Sequence, residues 1–498
     1  MSEATADGTA VPEVREIRAD MRHWRRGRAE AHFWDVFTDA YIAVFATVMF
    51  GAIAINILVH ARWATAAGCR SGGCAEARSW LPWVVALAVA VAVLGAARLF
   101  GPAHASPASA SWLLAAPLDR PALLRPALLV LTGATTLAAV LVAAAVATLT
   151  GFTVAAIIAY AVSLALASVG LLGLAVLAQA GRPLLGRVLT WALAAAAWAV
   201  LLLIALDDAP VLGSPTVGVG WIAVLVVVLL LAAAAAAVAL RRLGRLTRHD
   251  LAPGGKMAPG LSGALATLDL ALLYDVLLTR RWAAQESVRS RRGGPSGPMA
   301  LVSADLVRLR RSPQTLLVVA AVVVVPYAAA TLGLGRAQPL AVSLTGFLAG
   351  LGLCSALRVV TRTPSLLRAM PFAVSTTRST MLVVPGVALL LFGLACTPTL
   401  HASLDVPWST AAGMGLACGG AALAAAARWV TGRPPDYSRP LVSTPAGGVP
   451  TNLYGSVLRG FDIWAVTTVP MLLWPSSTGV LVSLVLSWIV VQYLVARP

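Results

Sequence analysis

Twelve stretches of this chain stay apolar for about 20 residues each, the length a helix needs to cross the hydrocarbon of a bilayer. They fall at 36–59, 81–100, 127–150, 152–180, 188–206, 220–240, 314–333, 338–357, 380–398, 409–428, 462–475 and 477–495. Only helices and closed barrels satisfy their backbone in lipid, and these runs lack the two-residue alternation of barrel strands. The eleventh is the shortest: from Ile463 to Trp474 it is under a span's length and contains Pro470, so it reads as a span or as a re-entrant piece. With 59% of residues hydrophobic and 11% charged, against about 25% charged in soluble proteins, the chain cannot be a soluble enzyme, a disordered polymer or a disulfide scaffold. An all-α polytopic transmembrane protein is expected.

A net charge of +17 would suggest nucleic acid if read alone. Here the cations sit between the spans, so no nucleic-acid partner is expected. With the N-terminus inside, nearly all of the 37 Lys and Arg fall in cytoplasmic segments, as the positive-inside rule favours. Both termini are then cytoplasmic and the chain lies in the cell membrane. The external loops, at 60–80, 207–219, 334–337, 399–408 and near Ser476, are too short for a catalytic domain. The polar start, with six Arg before the first run, lacks the form of a cleavable signal, so the first span is expected to remain as an anchor. Arg241 to Ser312 is a Gly/Pro/Arg-rich linker around the apolar segment Leu261 to Trp282, which Asp269 and Asp275 interrupt. An Asp at mid-bilayer costs about 2.5–3.5 kcal/mol, so this segment is expected to be an interfacial or cytoplasmic helix.

The chain also repeats itself. Ala19 to Arg26 and Ala304 to Arg311 both read A-D-apolar-x-x-apolar-R-R and precede the first and seventh spans. After the second and eighth come Trp112 to Leu118 and Leu366 to Phe372, each an apolar stretch ending in Pro and a large apolar residue. Gly181-Arg182-Pro183 and Gly432-Arg433-Pro434 follow the fourth and tenth. These matches divide the chain into a cytoplasmic amphipathic helix at 1–34, a six-span half at 35–240, the linker at 241–312 and a second half at 313–498. Six spans is an even number, so the halves insert the same way up, and a pathway is expected at their interface.

No Asp, Glu, Lys or Arg lies in the interior of any of these spans; Asp35, Asp39, Arg98, Asp207, Arg358 and Asp462 sit near ends. Ion-coupled carriers and channels usually rely on buried ionisable groups, so the motive force is expected from elsewhere. The Gly-rich stretch around Lys256 lacks the spacing of a phosphate-binding loop, and no cofactor or metal is expected in this chain. Cys69 and Cys74 share the first external loop, where oxidation is permitted, and are expected to form a disulfide. Cys354, Cys396 and Cys418 lie singly in apolar runs and are expected to pack. Asp207 and Asp208 are expected to cap the fifth helix.

The Arg-rich segment at 15–34 and the loop at 101–126, with its WLLAAPL stretch and Asp119, Arg120 and Arg125, suit docking to a partner, and Ser365 to Arg378 occupies the same place in the second half. With six helices per half and the segment Leu113 to Leu124, the chain resembles the permease subunits of ABC exporters of the ABC-2 class, here with both halves fused. In that family the pre-span helix and the loop after the second span contact a separate ATPase. The resemblance therefore implies ATPase contacts at Arg25, Arg26, Trp112, Pro117, Asp119 and Arg120, and at Arg310, Arg311, Met370 and Pro371 for a second copy. Phe372 to Ser375 departs from Leu118 to Pro121, so coupling through the second half is expected to be weaker. The resemblance implies a non-enzymatic transport subunit for a hydrophobic or amphipathic substrate, with ATP and Mg on the partner. A secondary carrier for a hydrophobic compound, or a membrane scaffold or lipid-modifying enzyme, are the alternatives.

Overall fold

The computed structural model describes residues 14–26, 33–68, 72–105, 109–116, 118–181, 183–206, 218–251, 254, 255, 257, 270–283, 294–432, 441–444, 447–450 and 458–497. It is a bundle of helices. The first part comprises α1 (Val14–Arg26), α2 (Phe33–Gly68), α3 (Gly72–Phe100), α4 (Arg120–Leu149), α5 (Val154–Gln179), α6 (Pro183–Ala205) and α7 (Val219–Arg242). The linker carries α8 (Leu270–Ala283) and leads to α9 (Met299–Arg311). The second part comprises α10 (Gln314–Val322), α11 (Val324–Thr331), α12 (Gln338–Leu353), α13 (Ser355–Arg362), α14 (Pro364–Ala369), α15 (Val374–Ala395), α16 (Thr397–Leu404), α17 (Trp408–Val430), α18 (Phe461–Leu473) and α19 (Ser477–Ala496). A two-stranded antiparallel hairpin, β1 (Leu441–Thr444) with β2 (Gly447–Pro450), interrupts the loop after α17.

Among the described residues nine helices are long and apolar enough to span a membrane, or ten if α12 and α13, bent by 58° at Cys354, count as one. The chain is therefore an all-α, multi-pass membrane protein. Helix α18, at 13 residues, extends only about 20 Å at 1.5 Å per residue, which makes it too short to cross by itself. Only three residues, 69–71, separate α2 from α3 among those described, so most of the expected first external loop is helix. Its Ala-rich sequence contains nothing that breaks one before the glycines at Gly68 and Gly72.

Each set of spans packs around its own fourth member. Helix α5 contacts α3, α4, α6 and α7, while α17 contacts α12, α15, α18 and α19. Small residues allow the approach. A Cβ on Gly173 of α5 would lie 2.8–2.9 Å from the backbone of Ala235 in α7, and one on Gly393 of α15 would fall on the carbonyl oxygen of Gly415 in α17. Turn chemistry sets the corners. Gly151 takes a positive φ of 86°, and the Thr153 hydroxyl caps α5 by accepting from the Ala156 N–H at 3.3 Å.

The two sets meet where α11 packs against α6 and α3. Ala77, Ile204 and Ala328 are buried there beside Trp80, Val200 and Leu332. Pro326 has no N–H to offer the Val322 carbonyl, and the helix is broken next to it, at Val323. From α6, the indole N–H of Trp198 donates across the seam to the Ala321 carbonyl at 2.9 Å.

Candidate functional site: a polar joint at the bend of the eighth span

At Cys354 the helix ends and restarts at an angle, so the last carbonyls of α12 lack helical partners. Two elements outside the bundle supply them. The Tyr274 hydroxyl on α8 donates to the Leu351 carbonyl at 2.8 Å. From α9, Arg308 donates to the Leu353 carbonyl at 2.9 Å and to the Ser355 hydroxyl at 2.6 Å. The Arg308 guanidinium thus sits at the negative end of the α12 dipole. Arg308 is held in turn by Asp305 one turn earlier, with Nε 2.7 Å from Oδ1.

One turn past the bend, Arg358 is only 1% exposed. Its guanidinium pairs with Asp275 of α8 through two bonds, Nε to Oδ1 and Nη2 to Oδ2, the latter 2.7 Å. It also lies over the Tyr274 ring, 5.3 Å from the centroid. Arg362 follows at i+4 on the same face and comes within 3.6 Å of Asp275. The planar fork of arginine suits this two-point grip on a carboxylate. The expectation that the spans carry no buried charge is therefore corrected at Arg358. Its charge survives in the core because the linker brings a carboxylate to it. Burial pushes the Asp305 carboxyl above the ordinary value, and Arg308 offsets this only in part.

Helix α8 grips both halves. Arg280, further along it, donates to the Arg98 carbonyl at the end of α3 at 3.2 Å. Helix α8 thus holds one carbonyl in each set of spans, and Arg98 and Leu351 are separated by nearly the same interval as Gly181 and Gly432.

The residues that the sequence singled out fall as follows. Arg25 and Arg26 close α1, and Arg310 and Arg311 close α9, both helices of 13 residues. The side chains of Arg25 and Arg26, and Pro117 and Cys69 entirely, lie outside the described residues. Arg310, Arg311 and Pro371 are exposed, whereas Met370 packs partly into the second core. Trp112 is 77% exposed. The loop around it is anchored on the bundle, because Leu114 is buried with Leu124, Val176 and Leu243. Asp119 and Arg120, both exposed, begin α4. Cys74 is disulfide-bonded, while Cys354, Cys396 and Cys418 are buried and free.

Sequence reasoning missed the Asp275–Arg358 pair. It read Asp275 only as a reason to keep α8 out of the bilayer, and Arg358 only as an end residue. A lone acid in an apolar linker helix and a lone base in an apolar span were the available signal.

No group of three or more His, Cys, Asp or Glu able to hold a metal occurs among the described residues. A mostly apolar cavity of about 340 Å³ lies beside the seam, between Trp80, Trp83, Leu164, Ser168, Leu171 and Val200. It opens within the first half and borders the interface where a pathway was expected.

The fold and the joint together define a multi-pass helical membrane protein whose best-built polar cluster braces a bent span. The chain belongs to the family of unknown function DUF6297, which matches residues 74–440. No curated protein and no solved structure matches it.

Proposed function

We propose that this protein is the permease of an ATP-driven exporter, moving a hydrophobic or amphipathic substrate across the cell membrane while a separate cytoplasmic ATPase supplies the work. One observation carries the reading. On α9, Arg308 is lodged in the bend of the eighth span, and half a turn later Arg310 and Arg311 stand exposed. A partner that pulls on the exposed end of α9 moves the side chain that holds the bend. The load reaches the first half through α8, which grips Arg98 and Leu351 together. The apolar cavity next to the seam suits a substrate of low polarity.

In this reading Trp112, Asp119 and Arg120 meet one ATPase, and Arg310, Arg311 and Pro371 meet a second. Arg25, Arg26, Pro117 and Met370 belong to the same two surfaces. The test is co-purification with the ATPase, together with ATP-dependent substrate flux in proteoliposomes. R310A/R311A should lower ATPase association. R308A should keep that association and lose flux, because the lever is attached but its load is not. Association unaffected by R310A/R311A, or full flux in R308A, refutes the reading. Flux that collapses with an ionophore and persists without an ATPase would favour a secondary carrier instead.

A further inference from the structure

At the arginine-rich end of the first half, a cavity of about 230 Å³ is lined by three arginines from three helices: Arg98 of α3, Arg187 of α6 and Arg280 of α8. Arg187 lies close enough to Arg98 to repel it. The Arg98 stem lies against Gly186, where a Cβ would be 3.8 Å from its methylenes, so the stem is seated on α6 beside Arg187. Among the described residues none of the three forms a salt bridge. The one acid in the lining is Asp250, whose Oδ2 accepts from the Thr247 N–H at 2.9 Å and from its hydroxyl at 2.7 Å. Gln179 fixes the floor by donating to the carbonyls of Ala103 at 3.0 Å and Asp250 at 2.9 Å.

We propose that this cavity is an anion site for a phosphate ester, occupied by the headgroup of an anionic phospholipid. The chemistry follows from like charges converging on a preformed space with only one acid to oppose them. Basic pockets between spans at the cytoplasmic face take anionic headgroups, and Arg offers a bidentate fork to phosphate. Arg98 and Arg187 are exposed at the ends of spans, where a lipid phosphate would lie. Burial holds the Arg280 guanidinium below its ordinary value, a penalty that an anion in the cavity would relieve. Because Arg280 belongs to α8, an occupied site would fasten the linker helix to the first half.

The test uses delipidated full-length protein in a neutral detergent. It is titrated separately with dioleoylphosphatidylglycerol, dioleoylphosphatidylcholine and inorganic phosphate, while bound lipid is counted by native mass spectrometry and the unfolding midpoint is followed. Phosphatidylglycerol should be retained and raise the midpoint, and phosphatidylcholine should do neither. R187Q, a surface change that leaves packing intact, should weaken the binding about fivefold, and R98Q/R187Q should weaken it by about that factor again. R241Q/R242Q, which removes two exposed arginines at the end of α7, should leave it unchanged. If phosphate alone raises the midpoint, with the same dependence on Arg98 and Arg187, the anion site stands and its source is a soluble phosphate ester. Binding equal in R98Q/R187Q and wild type, an equal loss in R241Q/R242Q, or no response to either anion overturns the proposal.

Discussion

In the first half the second span runs unbroken from Gly73 to Phe100, whereas its counterpart in the second half bends at Cys354. The pre-span helices differ in step. Asp20 of α1 is exposed and is followed three residues later by His23, also exposed; Asp305 of α9 is buried and is followed by Arg308, which reaches into the bend. The hubs differ too, with 67% of the α17 span buried against 44% of α5. The two sets of spans are thus built differently. Where the span is unbroken, α8 meets a single carbonyl of it, beside an arginine-lined cavity. Where it is bent, five charged side chains and two hydroxyls gather around the gap. The second half, with the denser hub and the polar joint, is the better braced of the two.

Separating Asp275 from Arg358 tests that comparison most severely. Asp275→Ala leaves a guanidinium in a site with 1% exposure and no carboxylate of its own. Breaking a buried pair from one side costs about 3–5 kcal/mol, and the lower end applies here because Asp275 is a third exposed. D275L/R358M, which removes both charges and keeps the volume, should recover most of that loss. Arg98→Met, at the exposed arginine whose carbonyl α8 holds in the first half, should change stability by less than about 0.5 kcal/mol in lipid-free detergent, as surface substitutions do. Thermal unfolding in detergent measures all three. A D275A loss no larger than that of R98M would end the claim that the bent half is the braced one.

The hubs give a smaller effect. Gly393→Ala drives a methyl into the Gly415 carbonyl, a backbone group that cannot swing aside, while Gly173→Ala meets Ala235 at 2.8–2.9 Å. Overpacking costs about 1–3 kcal/mol, and G393A should fall near the top of that range with G173A below it. Equal losses would mean that the two hubs are equally tight, and the burial difference would then say nothing about rigidity.

The spans were legible because membrane length and backbone satisfaction leave few options for an apolar run of that size. The short α18 was legible from Pro470 and the length of its apolar part. The bend at Cys354 was not. No proline marks it, and the groups that hold it, Tyr274 and Arg308, lie 77 and 45 residues away from the carbonyls they meet. Local pattern carries no information about such partners. The helical path through 60–68 and 72–80 was missed for the opposite reason, since Ala, Arg and Gly together suit a loop as well as a helix end. The tandem A-D…R-R motif located both pre-span helices. It could not show that Asp305 and Arg308 face the gap at the bend of the eighth span.

That placement leads to the finest test. Burial places the folded-state value of Asp305 above the unfolded one. The stability contributed by this group is therefore fully present below the unfolded carboxylate range and is lost as pH rises through the raised folded value. Its Oδ2 has no hydrogen-bond partner, which is the structural sign of an ion held in a site built for less charge. Asp305→Asn keeps an oxygen for the Arg308 Nε–H and never ionises. Its unfolding midpoint should therefore be slightly above wild type at pH 7, and the gap should close as the pH is brought below the carboxylate range. Asp20→Asn, at the exposed matching position, should track wild type at every pH. A D305N midpoint below wild type at pH 7 would mean that the Arg308 pairing outweighs burial, and that charge stabilises the joint.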